Sequence, residues 1–315
     1  MLLPLLALAA GAVMLYFGAE WLVRGSSGLA RALGIPAFAI GLTVVAYGTS
    51  APELIVGILA AWEDRGAIAL GNAVGSNIAN FGLILGATAL IRPTEVQGGL
   101  LRREIPALLL TTAVVPLFLL NGVIGRVEGA VLMVAAIVWT WMSLRSGRRA
   151  EIVSDAEPHD RRSKPAVLVA ISIGGLIVLL LGGKLLVDGA TSIARALGWS
   201  ERIIGLTIVA VGTSLPELAT SLIAAFRKQS ALAVGNVVGS NLFNVMMVLG
   251  ATAVVRPIRS SLRDGAVDLV VLVVMTVVAS VMMRTERRIG RLEGGLLAAG
   301  YVAFLVALAL LPAAP

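Results

Sequence analysis

Two short stretches concentrate polar chemistry in an otherwise apolar chain: Gly48-Thr49-Ser50-Ala51-Pro52-Glu53 and Gly212-Thr213-Ser214-Leu215-Pro216-Glu217. Each puts a carboxylate in the middle of a long apolar segment, where insertion into a bilayer costs about 2.5–3.5 kcal/mol per acidic residue. No Lys or Arg lies near the middle of any such segment to neutralise it. Proline has no N–H and clashes with the preceding turn, so the carbonyls of Gly48 and Gly212, four residues before Pro52 and Pro216, are expected to lose their helical donors. Thr49 and Glu53, and likewise Thr213 and Glu217, are four residues apart and share a helix face. Carboxylate, hydroxyl and freed carbonyl are all hard oxygen donors, which suits Na⁺, Ca²⁺ or Mg²⁺ rather than zinc or copper.

Two companion stretches add further oxygens. Ser76 and Asn80, and Ser240 and Asn244, are again four apart on one face, suited to cation ligation or to interhelical hydrogen bonds. Gly71 and Gly75, like Gly235 and Gly239, have the spacing of close helix contacts, and Asn72, Asn77, Asn236 and Asn241 read as packing contacts. Glu20 with Arg24, and Lys184 with Asp188, are expected to form local i, i+4 ion pairs of reversed sign at the membrane boundary.

These residues must be positioned by helices that cross a membrane. Hydrophobic residues make up 58% of the 315, charged ones only 14%, and the mean hydropathy is +0.96. This is far from a water-soluble composition. Runs of about 20 apolar residues predict ten spans, near Leu3 to Leu22, Ala37 to Trp62, Ala67 to Ile91, Glu104 to Leu120, Gly129 to Leu144, Ala166 to Val187, Ile203 to Phe226, Ala231 to Val255, Val267 to Met283 and Gly294 to Leu311. Residues 19–93 align without a gap with 183–257, a constant offset of 164, and about half of the aligned positions are identical. The chain is therefore read as an all-α polytopic membrane protein. Residues 1–145 form a first five-helix repeat, 146–165 a polar linker, and 166–315 a second repeat. Five spans being odd, the two repeats are expected to be inverted in the membrane. Basic residues gather in the connections on one side, which puts the linker in the cytoplasm and both termini outside.

The same composition excludes several functions. The net charge of +7 belongs to topology rather than to nucleic acid. With no cysteine, and with the one histidine, His159, in the linker, there is no disulfide frame, thiolate metal site or histidine-based catalysis. An intramembrane hydrolase would lack the partners its glutamates need, so no enzyme activity is expected.

At the two GTSxPE and the two GNxVGSNxxN stretches the sequence resembles the sodium/calcium exchanger branch of the calcium:cation antiporter superfamily. The resemblance implies broken second and seventh helices packed with the third and eighth around a central ion cluster, with the first and sixth sliding across them. It implies calcium ligands at Glu53, Glu217, Thr49 and Thr213. Sodium positions fall at Ser50, Ser214, Ser76 and Ser240 and at the carbonyls of Ala46 and Ala210, with Asn80 and Asn244 as the central pair. Some relatives, and the potassium-dependent branch, have aspartate at one of that pair; its absence argues against potassium coupling and leaves no third carboxylate. The proton-coupled branch tends to carry an acidic residue and a histidine where this chain has Gly75-Ser76 and Gly239-Ser240, so sodium is the favoured counter-ion. The expectation is a multi-pass antiporter of the cell (inner) membrane that exchanges Na⁺ for Ca²⁺ by alternating access and exports Ca²⁺. Its partners are the two ions and the bilayer, with no resident cofactor and no obligate protein partner. A proton-coupled divalent-cation antiporter is the alternative, and a cation channel a more distant one.

Overall fold

The computed structural model describes residues 2–147, 164–199, 204, 208, 210–260 and 265–310. Most of the linker, including His159, lies outside the described residues. The architecture is nearly all helical, with four two-residue strands. Among the described residues eight helices are long and apolar enough to cross a membrane, and nine if the bent pair Ala37–Thr49 and Ala51–Trp62 counts as one. The expected span near Ile203 to Phe226 falls partly outside the described residues.

Helix α1 (Leu2–Leu33) outruns the end of its expected span at Leu22 by eleven residues, and α9 (Pro165–Ala196) outruns its own at Val187 by nine. The apolar run does not set where they stop. Gly34 and Gly198, at equivalent positions, adopt left-handed φ of +64° and +81° and end the helices there. At about 1.5 Å per residue, 32 residues far exceed a hydrocarbon core of about 30 Å. The two helices pack along each other over their length, and the cause lies in the sequence. Glycines recur every seven residues at 11, 18 and 25 on α1 and at 175, 182 and 189 on α9. A Cβ on Gly18 would lie 2.4 Å from the Leu179 backbone nitrogen, and one on Gly175 2.5 Å from that of Leu22. Only glycine lets the backbones approach so closely.

The second span is interrupted. Helix α2 (Ala37–Ile40) passes through a π-helical turn (Gly41–Val45) into α3 (Ala46–Thr49), breaks at Ser50, and resumes as α4 (Ala51–Trp62), bent by 45°. The third span is α5 (Gly66–Ala79), a π-helical turn at Asn80–Leu85, and α6 (Gly86–Ile91). After strand β1 (Thr94–Glu95) and a π-helical turn (Leu100–Glu104) come α7 (Ile105–Phe118), strand β2 (Val123–Ile124) and α8 (Arg126–Gly147). The second half repeats the plan: α10 (Ala210–Thr213), α11 (Leu215–Phe226), α12 (Ser230–Phe243), a π-helical turn (Asn244–Val248), α13 (Leu249–Val255), β3 (Ile258–Arg259), α14 (Ala266–Thr285), β4 (Arg288–Ile289) and α15 (Arg291–Leu310).

The halves interlock. Strand β1 pairs antiparallel with β4, and β2 with β3, so each half closes the other's loops. At the centre, α12 packs on α2 and α3, and α5 on α10. Gly235 and Gly239 make this possible: a Cβ on either would meet the Phe38 or Leu42 carbonyl at 2.5 and 2.4 Å. No described residue approaches a Cβ on Gly71 or Gly75 within 4 Å.

Candidate functional site

The two breaks have the same geometry. Ser50 (φ −87°, ψ 10°) and Ser214 (φ −90°, ψ 5°) end one helix, and Pro52 and Pro216 sit in the first turn of the next, where a missing N–H breaks no helical bond. The carbonyl accounting differs from expectation. At the first break the backbone N–H groups take the Ala46 and Gly48 carbonyls, so Gly48 is not simply freed. At the second, the Ser214 amide bonds the Val211 carbonyl at 3.1 Å, where the equivalent Ser50 amide bonds Ala46 at 2.9 Å.

Glu53 and Glu217 lie in the first turns of α4 and α11 and are each 1% exposed. Ser50 Oγ donates to Glu217 Oε1 at 2.7 Å, joining the break of one half to the carboxylate of the other. Ser76 Oγ stands 3.5 Å from Glu53 Oε1, at the limit of a hydrogen bond. Thr49 Oγ1 lies within reach of the Val45 and Ala46 carbonyls and of Asn236 Oδ1, so the Ala46 oxygen already meets two donors. Thr213 is half-buried at the end of α10, and Ala210 begins that helix.

Ser214, Ser240, Asn80 and Asn244 are all at most 1% exposed. Among the described residues, Ser214 Oγ, Ser240 Oγ, both amide atoms of Asn80, Asn244 Oδ1, and the second carboxylate oxygens Glu53 Oε2 and Glu217 Oε2 have no hydrogen-bond partner. Buried polar atoms without partners are costly. Here they gather on four central segments, mostly as oxygens, a donor set fit for hard cations. No third acidic, histidine or cysteine group joins the two glutamates among the described residues.

Asparagines read as packing contacts turn out to hold the frame. Asn72 donates to the Glu53 carbonyl at 3.0 Å, and Asn236, its equivalent, to the Glu217 carbonyl at 3.4 Å and to Ser221 Oγ at 3.0 Å. Asn77 donates to the Asn241 carbonyl at 3.2 Å, and Asn244 to Asn77 Oδ1 at 3.1 Å, tying the halves together. The shared offset of 164 was the signal available for the 72 and 236 pair. One boundary pair is also corrected: Lys184 and Asp188 do pair locally at 2.6 Å, but Glu20 is held by Arg227, 207 residues away, rather than by Arg24. Sequence reading missed the seven-residue glycine spacing of α1 and α9 as well.

The family model described as sodium/calcium exchanger protein matches residues 3–145 and 167–310. Among curated relatives, the putative antiporter CaxA of Alkalimonas amylolytica is 38% identical over 96% of this chain and 98% of its own. The inner membrane protein YrbG of Escherichia coli is 35% identical over 98% and 97%, and the sodium/calcium exchanger MaX1 of Methanosarcina acetivorans 30% over 96% and 97%. A solved structure of the sodium-calcium exchanger NCX_Mj, soaked with 10 mM Na⁺ and zero Ca²⁺, superposes with a TM-score of 0.85 at 34% identity, covering 99% of both chains. Matched by family profile in both halves and by full-length relatives, this multi-pass membrane protein belongs to the sodium/calcium exchanger family.

Proposed function

We propose that the chain is a secondary active antiporter that exchanges Na⁺ for Ca²⁺ by alternating access and exports Ca²⁺ from the cytoplasm. Residues 1–145 and 166–315 act as two inverted five-span repeats, ten spans in all. The protein sits in the inner membrane, as the name of the Escherichia coli relative supports, and the placement of basic residues puts the linker in the cytoplasm and the termini outside. The observation that carries the reading is the pair of fully buried glutamates on equivalent broken helices, with Ser50 at one break bonded to Glu217 beyond the other, and each glutamate with an oxygen lacking a protein partner.

In this reading Glu53, Glu217, Thr49 and Thr213 ligate Ca²⁺. Ser50, Ser214, Ser76, Ser240 and the carbonyls of Ala46 and Ala210 serve Na⁺, and Asn80 and Asn244 form the central pair. Two ionised glutamates carry a charge of −2, balanced by one Ca²⁺ or two Na⁺. Loading both kinds leaves uncompensated charge in a low-dielectric site, so the ions exclude one another. The empty charged site stays open to water, while either neutralised state can occlude, as expected of inverted-repeat transporters. A third Na⁺ would add one positive charge and make exchange electrogenic. The names of the relatives, exchanger and antiporter, support transport rather than catalysis.

The test is radioactive calcium flux into proteoliposomes driven by an outward sodium gradient. Flux that collapses when sodium is replaced by an impermeant cation supports the proposal. Equal flux under a pH gradient without sodium overturns sodium coupling in favour of proton coupling, and a unitary conductance in planar bilayers favours a channel.

A further inference from the structure

Around the long helices, charge reverses between the halves. Glu20 and Lys184, Arg24 and Asp188, Glu63 and Arg227, and Asp64 and Lys228 are each 164 apart and opposite in sign. In the proposed topology the cytoplasmic preference for basic residues accounts for Arg227 and Lys228 on one side with Glu63 and Asp64 on the other. It runs the wrong way for Glu20 and Lys184, since the acid then shares a side with Arg227 and the base with Glu63. What the reversal preserves is complementarity, of position 20 with 227 and of 184 with 63.

The structure forms one of these pairs and not the other. Arg227 Nε donates to Glu20 Oε2 at 3.0 Å and its Nη2 bonds Glu20 Oε1, a two-point clasp from the end of α11 to α1. The Glu20 side chain is only 18% exposed. Lys184 instead pairs with Asp188 at 2.6 Å, and Glu63 with Arg65 at 3.3 Å, all four side chains more than half exposed. Packing shows the same asymmetry. Ile223 of α11, 8% exposed, shares a core cluster with Leu15, Leu22 and Val23 of α1. Its equivalent on α4, Leu59, is 58% exposed, and α9 makes no comparable packing with α4. The glycines fasten α1 to α9, so Glu20 and Lys184 travel on one body.

We propose that Glu20–Arg227 and Lys184–Glu63 are alternative latches. The first is closed in this conformation, and the second closes when the α1–α9 pair shifts so that α9 packs on α4. The inference rests on the alternating-access reading above and adds the contacts that hold each end state. Repartnering is easy because Lys184–Asp188 and Glu63–Arg65 are exposed pairs worth little. Each state closes one latch and opens the other, so the latches keep the states discrete without favouring either strongly.

The chain has no cysteine, so E20C/R227C and E63C/K184C double variants can be cross-linked with a short thiol reagent in proteoliposomes. Both pairs are expected to cross-link in part, each stopping calcium flux until the link is reduced. In the E20C/R227C background K184Q removes the second latch and, from the present state, only the weak exposed Lys184–Asp188 pair, so it is expected to raise E20C/R227C cross-linking about two- to fivefold, and adding E63Q to change it no further. If E63C/K184C never cross-links while the unlinked variant exchanges calcium normally, the latch is overturned and the exchanger reading stands. Full turnover of cross-linked E20C/R227C overturns it equally. If the unmodified chain shows no ion-driven calcium flux in the same vesicles, the exchanger reading falls, and the latch with it.

Discussion

Ser50 Oγ donates a 2.7 Å hydrogen bond to Glu217 Oε1, so a residue at the break of one half orients the carboxylate of the other. The site therefore belongs to neither half alone. Hydrogen bonds to charged acceptors contribute about 1.5–3 kcal/mol. In S50A the Glu217 carboxylate loses this donor and the proposed sodium position loses an oxygen. The apparent sodium affinity is expected to fall about tenfold or more, and calcium affinity less. S214A is the informative comparison, because Ser214 Oγ has no hydrogen-bond partner among the described residues and its loss reports on the cation alone. Sodium and calcium titrations of flux separate the two.

Isosteric neutralisation tests the carboxylates themselves. E53Q and E217Q keep shape and remove one of two charges facing a divalent ion. Losing one partner of a buried charge interaction costs about 2–5 kcal/mol, or about 30-fold and upward in affinity. Calcium flux is expected to drop to background in both variants, with insertion unchanged by gel filtration and quantified yield. Sodium-driven flux retained in either would remove that glutamate from the site.

N72A and N236A remove the amides that hold the Glu53 and Glu217 carbonyls. Each leaves a buried acceptor short of a donor, at a cost of about 1–3 kcal/mol. Because the damage is to the helix carrying the ligand and not to one ligand, sodium and calcium affinities are expected to fall together. Selective loss of one ion's binding would instead make the asparagine a ligand.

The close contact of α1 and α9 predicts a steep penalty for a single methyl. In G18A or G175A the new Cβ meets backbone at 2.4 or 2.5 Å, which the helices relieve only by separating. Overpacking of this kind costs about 1–3 kcal/mol or more. G174A, one residue away, meets nothing within 4 Å among the described residues and is expected to be neutral. Thermal unfolding in detergent distinguishes them: a clear fall in Tm for the first two and no change for the third.

Much of the candidate site could be read from the chain. The two Pro-Glu steps, the four-residue spacing of Thr49 with Glu53 and of Ser76 with Asn80, and the offset of 164 are local or periodic facts. Local backbone chemistry acts on them directly: Pro52 and Pro216 suit the first turn of a helix and mark where α4 and α11 begin, and a left-handed glycine ends a helix at Gly34 and at Gly198. The apolar runs failed to give the ends of α1 and α9, because hydropathy marks the part of a helix that sits in lipid and not the point where its hydrogen bonding stops. The spacing of Gly11, Gly18 and Gly25 was equally present in the sequence, though it names no partner by itself.

Partner choice is what the tertiary structure decided. Glu20 has a cation four residues on in Arg24, yet binds Arg227, since packing α1 on α11 brings a two-point donor to a half-buried carboxylate. Lys184, its equivalent by sequence, has no such packing and keeps its local partner. Two repeated halves thus carry the same central motifs along the chain but different contacts in space. Sequence fixes which groups each helix presents, and only the arrangement of the helices fixes which of them meet.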